Sequence, residues 1–407
     1  MQIEEVWNKI EGMEDEMVSF LSKIIEVPAI SPKSGGEGEW DKVALLEELI
    51  KDFGFDRLER YDCPDPKAKN RKRPNLIAKV DGTEDENLWV VVHTDVVPPG
   101  DLKKWDSDPF RAVVRDGKVF ARGAEDNGQS LVASLFAVKA LRDLGLRPKM
   151  NVGIVLVADE ETGSEKGIKY LIQQGLFSKE DLILVPDGGN ADGTLIEVAE
   201  KSIVWVKVAT KGKQCHASMP DLGRNAFKAA MHFWNRLEGV LKDKYSARDE
   251  LYDRPYSTFE PTKKEANVPN VNTIPGDDVF YIDCRILDCY KVEDVLATMR
   301  QVADEVERET DTKITLEIVQ GGQAPPPTPT DAPIVEKLKT AVDMVYKNGP
   351  RPGGIGGGTC AAIFRSYGYP AAVWCRIDDT AHSPNEYCII SNLVNDAKVY
   401  ATLFLSG

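Results

Sequence analysis

The sequence predicts an α/β protein in two parts: a central, mostly parallel sheet flanked by helices, and a smaller α+β unit inserted into it. Three observations carry this expectation. Short continuous apolar runs (LWVVV, NVGIVLV, DLILV) alternate with helical patterns through the first 200 residues, and a strand loses its polar face only when both sides of its sheet are covered. From about residue 202 the strands become half-exposed. After the proline-rich stretch GGQAPPPTPTDAP (321–333) the first pattern returns. At 407 residues the chain is also long for a single core. The expected domains are 1–201 with 326–407, discontinuous, and 202–325 as the insert.

The elements follow in order. EEVWNKIEGMEDEMVSFLSKII spaces its apolar residues as an amphipathic helix does, and WVVVHTD is a strand that ends on a histidine and an aspartate. SLVASLFAVKALRDLGL (130–146) is a helix ending near Gly145, and NVGIVLVADEE and DLILVPDGG are further buried strands. In the insert, SIVWVKVATKG and DVFYIDCRIL (278–287) are strands covered on one face. Helices 225–241 and 291–309 accompany them, followed by the strand KITLEIV. IVEKLKTAVDMVYK and YPAAVWCRID then resume the first pattern, and no internal repeat is visible.

Composition narrows the function classes. The chain is 42% hydrophobic and 29% charged, ordinary for a globular protein. Its net charge of −15 argues against nucleic acid, because phosphate binding wants a basic face. The acidic N-terminus has no basic segment followed by an apolar core of signal type, and no apolar run approaches a membrane span. Seven cysteines, an odd number without a CxxC pair, make a disulfide framework or a cysteine-type zinc site improbable, so a reducing cytoplasm is expected. The Lys–Glu alternations are compatible with a warm-growing source. The basic loop PKAKNRKRP (66–74) reads as a solvated surface excursion.

Metal-type side chains recur just beyond the continuous strands. His93 and Asp95 follow LWVVV, and Asp126 sits in the glycine-containing turn RGAEDNGQ that opens a helix. Glu160 and Glu161 end NVGIVLVADEE, Asp187 ends LILVPDGG, and His382 lies in DDTAHSPNE shortly after AAVWCRID. Taken singly, a histidine at a strand end is ordinary loop material, paired glutamates are a solvated turn, and Asp before Gly is turn chemistry. With only four histidines in the chain, two of them beside carboxylates at one expected sheet edge point instead to a shared metal site.

The ordered motifs HTDVVP (93–98), RGAEDNGQ (122–129), DEETGS (159–164), PDGG (186–189), KGKQCHASMPDLGRNA (211–226), NVNTIPG (270–276), GGGT (356–359) and AHSPNE (381–386) resemble the M20 peptidase family. That family of co-catalytic metallohydrolases includes succinyl-diaminopimelate desuccinylase, acetylornithine deacetylase, aminoacylase and carboxypeptidase G. The resemblance implies a catalytic domain holding two Zn²⁺ ions, with Co²⁺ or Mn²⁺ as substitutes. Asp126 would bridge, His93 and Asp187 would complete one site, and Glu161 and His382 the other. Asp95 would accept the second ring N–H of His93, and Glu160 would be the general base. The insert would be a lid and dimerisation domain. Its His216 would stabilise the oxyanion from a partner subunit, implying a homodimer, while Asn272, Arg285, Gly357, Gly358 and Thr359 would hold the substrate carboxylate.

The implied activity is hydrolysis of N-acyl amino acids by activated water; a dipeptidase or carboxypeptidase is the alternative, and a non-catalytic binding relative a weaker one. GGIGGGT (353–359) lacks the Gly-Lys-Ser/Thr ending of a phosphate loop, and His232, inside helix 225–241, reads as structural. One departure stands out. Asn127, Gly128 and Gln129 follow Asp126 where many relatives have a D-x-K-G arrangement.

Overall fold

The computed structural model describes residues 2–406. The chain divides into two compact units: Met1–Val198 with Pro327–Pro352 and Thr359–Gly407, and Ala199–Pro326 with Gly353–Gly358. The stretch Gly353–Gly358, expected in the first unit, belongs to the second. Its backbone is tied there by Gly354 N donating to Leu251 O (2.7 Å) and Lys201 N donating to Ile355 O (3.0 Å).

Six strands of an eight-stranded sheet lie wholly in the first unit, and the last two, Leu195–Glu200 and Arg351–Ile355, run on into the second. The sheet's spatial order is Arg57–Pro64, Lys72–Val80, Asn151–Val157, Asn87–His93, Leu182–Asn190, Ala371–Arg376, Leu195–Glu200, Arg351–Ile355. The sheet is mixed rather than mostly parallel. Asn87–His93 runs parallel to Asn151–Val157 and to Leu182–Asn190, which is parallel to Ala371–Arg376; Arg57–Pro64 with Lys72–Val80, Lys72–Val80 with Asn151–Val157, and Ala371–Arg376 with Leu195–Glu200 pair antiparallel. Helical crossovers such as Ser130–Asp143 return the chain to the same sheet end and so make parallel neighbours. A short connection, as between Pro64 and Lys72, reverses it.

Both faces of the centre are covered, which accounts for the continuous apolar runs. Trp89 and Val91 pack with Val155, Val157, Ile168, Leu171, Phe364 and Val373 on one side. Val90 and Val92, pointing to the opposite face, are equally buried. The helix Ser130–Asp143 is buried around nearly its whole circumference and packs against the C-terminal helix Ile390–Leu405. The proline-rich segment is anchored on this unit where Thr328 Oγ1 donates to Ala371 O at 2.7 Å.

The second unit is a four-stranded antiparallel sheet in the order Thr258–Lys264, Asp277–Ile286, Ser202–Lys211, Lys313–Gly322. Strand Asp277–Ile286 alternates buried and half-buried residues along its length. The inward set, Phe280, Ile282, Cys284 and Ile286, joins Val204, Val206 and Val208 under helices Ala226–Lys244 and Val292–Thr310. His232 lies on the exposed side of its helix, outside that core. Among the described residues, no helix is long and apolar enough to cross a membrane.

Candidate metal centre

Because the central strands are parallel, their carboxyl ends share one edge, and the metal-type residues of the first unit meet there. Strand Asn87–His93 ends on His93, whose side chain is 2% exposed. Its Nδ1 lies 2.9 Å from the backbone carbonyl of Asp95, which makes Nδ1 a donor and leaves Nε2 as the nitrogen that would face a metal. That Nε2 is 2.7 Å from Asp126 Oδ1 and 3.5 Å from Asp187 Oδ1. On the other side, His382 Nε2 is 3.2 Å from Asp126 Oδ2 and 3.0 Å from Glu161 Oε2. The two oxygens of Asp126 therefore face one histidine each, and the two donor groups, His93–Asp126–Asp187 and Asp126–Glu161–His382, share that carboxylate.

Asp95 does a different job from the one expected. Its carbonyl, not its carboxylate, meets the His93 ring; the carboxylate is 3.7 Å away. The carboxylate instead accepts the backbone N–H groups of Glu160 (3.1 Å) and Glu161 (3.2 Å). Those glutamates sit on the short helical turn Glu160–Thr162 beyond strand Asn151–Val157 rather than in it, and Asp187 lies within strand Leu182–Asn190 rather than at its end.

Asp126 rests on the irregular turn Ala124–Gln129, which leads into helix Ser130–Asp143. Glycine is required at 128 by close approach: a Cβ there would stand 2.3 Å from Gly123 O and 2.7 Å from Leu21 Cδ1. The residues that depart from the common pattern are buried and engaged. Asn127 Nδ2 donates to Asp187 Oδ1 (2.9 Å) and Pro186 O (2.8 Å), holding a metal-type carboxylate. Gln129 Nε2 donates to Arg376 O (2.9 Å) and Asp396 Oδ2 (2.8 Å).

Glu386, in the quoted AHSPNE motif but without an assigned role, is fully buried. Its Oε1 accepts the backbone N–H groups of Glu125 (3.0 Å) and Asp126 (3.1 Å), and its Oε2 accepts from Arg122 Nη1 at 2.5 Å. Cys360, buried, brings its sulfur within 4.8 Å of carboxylate oxygens of Glu160 and Asp187. A buried carboxylate or thiol has no periodic signature, so only proximity to a motif could have pointed to either.

The electrostatics are those of concentrated negative charge. His382 is pushed up to about 10 by its hydrogen bonds to Asp126 and Glu161. Burial disfavours the charged form of His93, but Asp187 and Asp126 overcome it and hold the imidazole well above its ordinary range. Burial, then the Asp187 charge, raises Glu160 well above a usual carboxyl group. Burial raises Asp95 to about 7, with Glu39 adding to it. Carboxylates crowded this way call for compensating cations, and a set of two imidazoles and three carboxylates suits a divalent transition metal.

The remaining expected residues lie elsewhere in the chain. His216, exposed, is on the two-residue strand Cys215–His216 paired with Thr273–Ile274. Its Nδ1 accepts the N–H of Ser218 at 3.2 Å, so the neutral ring carries its proton on Nε2. Asn272 accepts from Asn270 Nδ2 through its side-chain oxygen at 2.5 Å. Arg285 donates from Nε (2.7 Å) and Nη2 (3.0 Å) to Asp283 and from Nη1 to Gly356 O (2.6 Å). Gly357 and Gly358 also belong to the second unit, whereas Thr359 belongs to the first and accepts the N–H of Ala361 at 3.2 Å.

Comparison with known proteins agrees with this constellation. The family model for peptidase family M20/M25/M40 matches residues 89–406. A chain of Methanocaldococcus jannaschii described as an uncharacterized metallohydrolase is 37% identical over 95% of this chain and 98% of its own length. Succinyl-diaminopimelate desuccinylase 2 of Shewanella loihica is 26% identical over 94% of this chain and 98% of its own. The crystal structure of human carnosine dipeptidase 1 superposes with a TM-score of 0.75 over 100% of this chain and 98% of that one, at 18% identity, a likeness of fold alone. The chain belongs to peptidase family M20/M25/M40, whose members are metal-dependent hydrolases of amide and peptide bonds.

Proposed function

We propose that this protein is a two-zinc amidohydrolase that cleaves N-acyl amino acids of the acetyl or succinyl type, with Co²⁺ or Mn²⁺ able to replace zinc. The observation that carries the reading is Asp126, whose two oxygens each face one histidine. Bound at the two donor groups, the cations would polarise the scissile carbonyl and make water nucleophilic near neutral pH. His93 and Asp187 would hold one ion and Glu161 and His382 the other.

Glu160 takes the proton of the attacking water and passes it to the departing amine. Its burial and the Asp187 charge raise its proton affinity toward the range such a base needs. Asp95 holds the backbone of the two glutamates, and its carbonyl keeps His93 in the metal-binding tautomer. His216 of a second copy, its Nε2 proton available, donates to the oxyanion, which makes the working form a homodimer. Arg285, Asn272, Gly357, Gly358 and Thr359 line the substrate's carboxylate end. Among the described residues the seven cysteines form no disulfide, in keeping with a cytoplasmic setting.

The desuccinylase name carried by a relative at 26% identity favours the acyl amino acid over a dipeptide. Assay of acetyl-, succinyl- and dipeptide substrates side by side with zinc-loaded protein decides it: faster dipeptide turnover would replace this reading with a dipeptidase. Glu160→Gln should lose at least ~100-fold in kcat while binding the wild-type amount of metal. Near-normal turnover in that variant removes Glu160 from the role.

A further inference from the structure

The basic loop 66–74 is not wholly a surface feature. Lys69 pairs with Asp41 (2.6 Å) and Lys72 with Asp62 (3.1 Å) at the surface, but Arg73 turns inward and is only 1% exposed. Its Nε donates to Glu39 Oε2 at 2.5 Å, its Nη2 to Glu39 Oε1, and its Nη1 lies 3.4 Å from Asp159 Oδ1. Glu39, at the start of helix Trp40–Ile50, and Asp159 are both fully buried. Asp159 directly precedes Glu160.

Asp159 is held from both ends. Glu39 Oε1 accepts its backbone N–H at 3.3 Å. Its carboxylate accepts from Lys166 N at 3.0 Å and from Thr162 Oγ1, spanning the turn that carries the two glutamates. With Asp95 accepting the next two N–H groups, three consecutive backbone donors, those of residues 159, 160 and 161, each end on a buried carboxylate. Asp159 takes a left-handed backbone conformation at φ 64°, and this ladder fixes the path of the turn on either side of it.

We propose that the buried Glu39–Arg73 pair is a positioning device that locks the Asp159–Ser164 turn and thereby sets where Glu160 and Glu161 place their carboxylates. Both residues precede position 89, where the family match begins, so the matched pattern does not assign them. Stability alone is a poor reason to bury such a pair, since apolar residues of similar volume usually do as well. What apolar residues could not do is accept the Asp159 N–H and bind its carboxylate. The inference rests on the roles proposed above for Glu160 and Glu161.

The test uses Glu39→Gln in the full chain, with three readouts. In metal-free protein, amide exchange over residues 159–166 should accelerate about tenfold while the Ser130–Asp143 helix exchanges as in wild type. The Co²⁺-substituted protein should show an altered visible absorption spectrum, because Glu161 is displaced. On the best acyl substrate kcat should fall about 10–100-fold with KM within about twofold. Arg73→Lys, which keeps the charge but not the fork, should show a smaller version of each effect.

Unchanged exchange and an unchanged cobalt spectrum in folded Glu39→Gln protein overturn the proposal. If that variant does not fold, Thr162→Val, which removes a half-exposed donor to Asp159, is read in the same way. If wild-type protein hydrolyses no substrate offered, the proposed activity falls, while exchange and the cobalt spectrum still decide the positioning role.

Discussion

Lys42 shows how strongly its surroundings can bend a single residue. It is 6% exposed, and burial lowers its ammonium to about 8 from an ordinary 10.5, although Asp95, Glu39 and Glu386 pull the other way. The folded protein therefore gives up this proton more readily than the unfolded chain. Below about pH 8 both states hold the proton and the full penalty of burial is present; between about 8 and 10.5 only the unfolded state holds it, so this group's contribution to stability improves as pH rises. Urea unfolding of metal-free wild type and Lys42→Met should differ by a constant amount below about pH 7. The difference should shift toward wild type as the pH climbs above 8. A flat difference across the window would show that Lys42 is not buried as a charge.

Asn127 is a second case at this scale. It stands among the residues that depart from the common D-x-K-G arrangement, and nothing in the one-dimensional pattern says what it touches. In three dimensions its amide holds Asp187 in place. Glu386 and Asp95 are similar: each was visible in a motif, yet each holds two backbone N–H groups that no motif names.

Elements carry the site through their ends and turns. The strand interiors supply burial, while the chemistry comes from the carboxyl-terminal halves of strands (His93, Asp187) and from the turns beyond them (Asp126, Glu160, Glu161). The turn Ala124–Gln129 is tightly constrained, because Gly128 packs against Gly123 O and Leu21. Gly128→Ala should therefore destabilise the protein by about 1–3 kcal/mol through overpacking and should also weaken metal binding, since Asp126 rides on the same turn. Thermal unfolding with and without added Zn²⁺ separates the two effects. An alanine variant with wild-type Tm and wild-type metal stabilisation would mean the turn has slack that its geometry denies.

For the whole molecule, metal and folding are linked unit by unit. All five expected ligands lie in the first unit, so if the units unfold independently an ion bound there would stabilise that unit alone, by about 4 kcal/mol per site at a thousandfold excess over Kd. Calorimetry should show two transitions, one of which moves down when a chelator is added, while the other stays. Equal movement of both would mean the two units unfold as one cooperative body.

The α/β class, the central strands Asn87–His93, Asn151–Val157, Leu182–Asn190 and Ala371–Arg376, and the motifs that bring histidines and carboxylates to them were legible in the sequence, whereas strands Arg57–Pro64, Lys72–Val80, Leu195–Glu200 and Arg351–Ile355 were not. Apolar periodicity reports burial directly, and the ligand motifs sit at fixed offsets from the strands. The direction of Lys72–Val80 and Leu195–Glu200 was not legible, because a strand buried on both faces looks the same whether its neighbour runs parallel or antiparallel. Nor was the membership of Gly353–Gly358, which is fixed by backbone hydrogen bonds to residues about 100 and 150 positions away. Tertiary structure alone decided what Asp95, Asn127, Arg73 and Glu39 touch. A buried polar side chain takes whatever partner the fold brings within about 3 Å, and that choice leaves no trace in spacing along the chain.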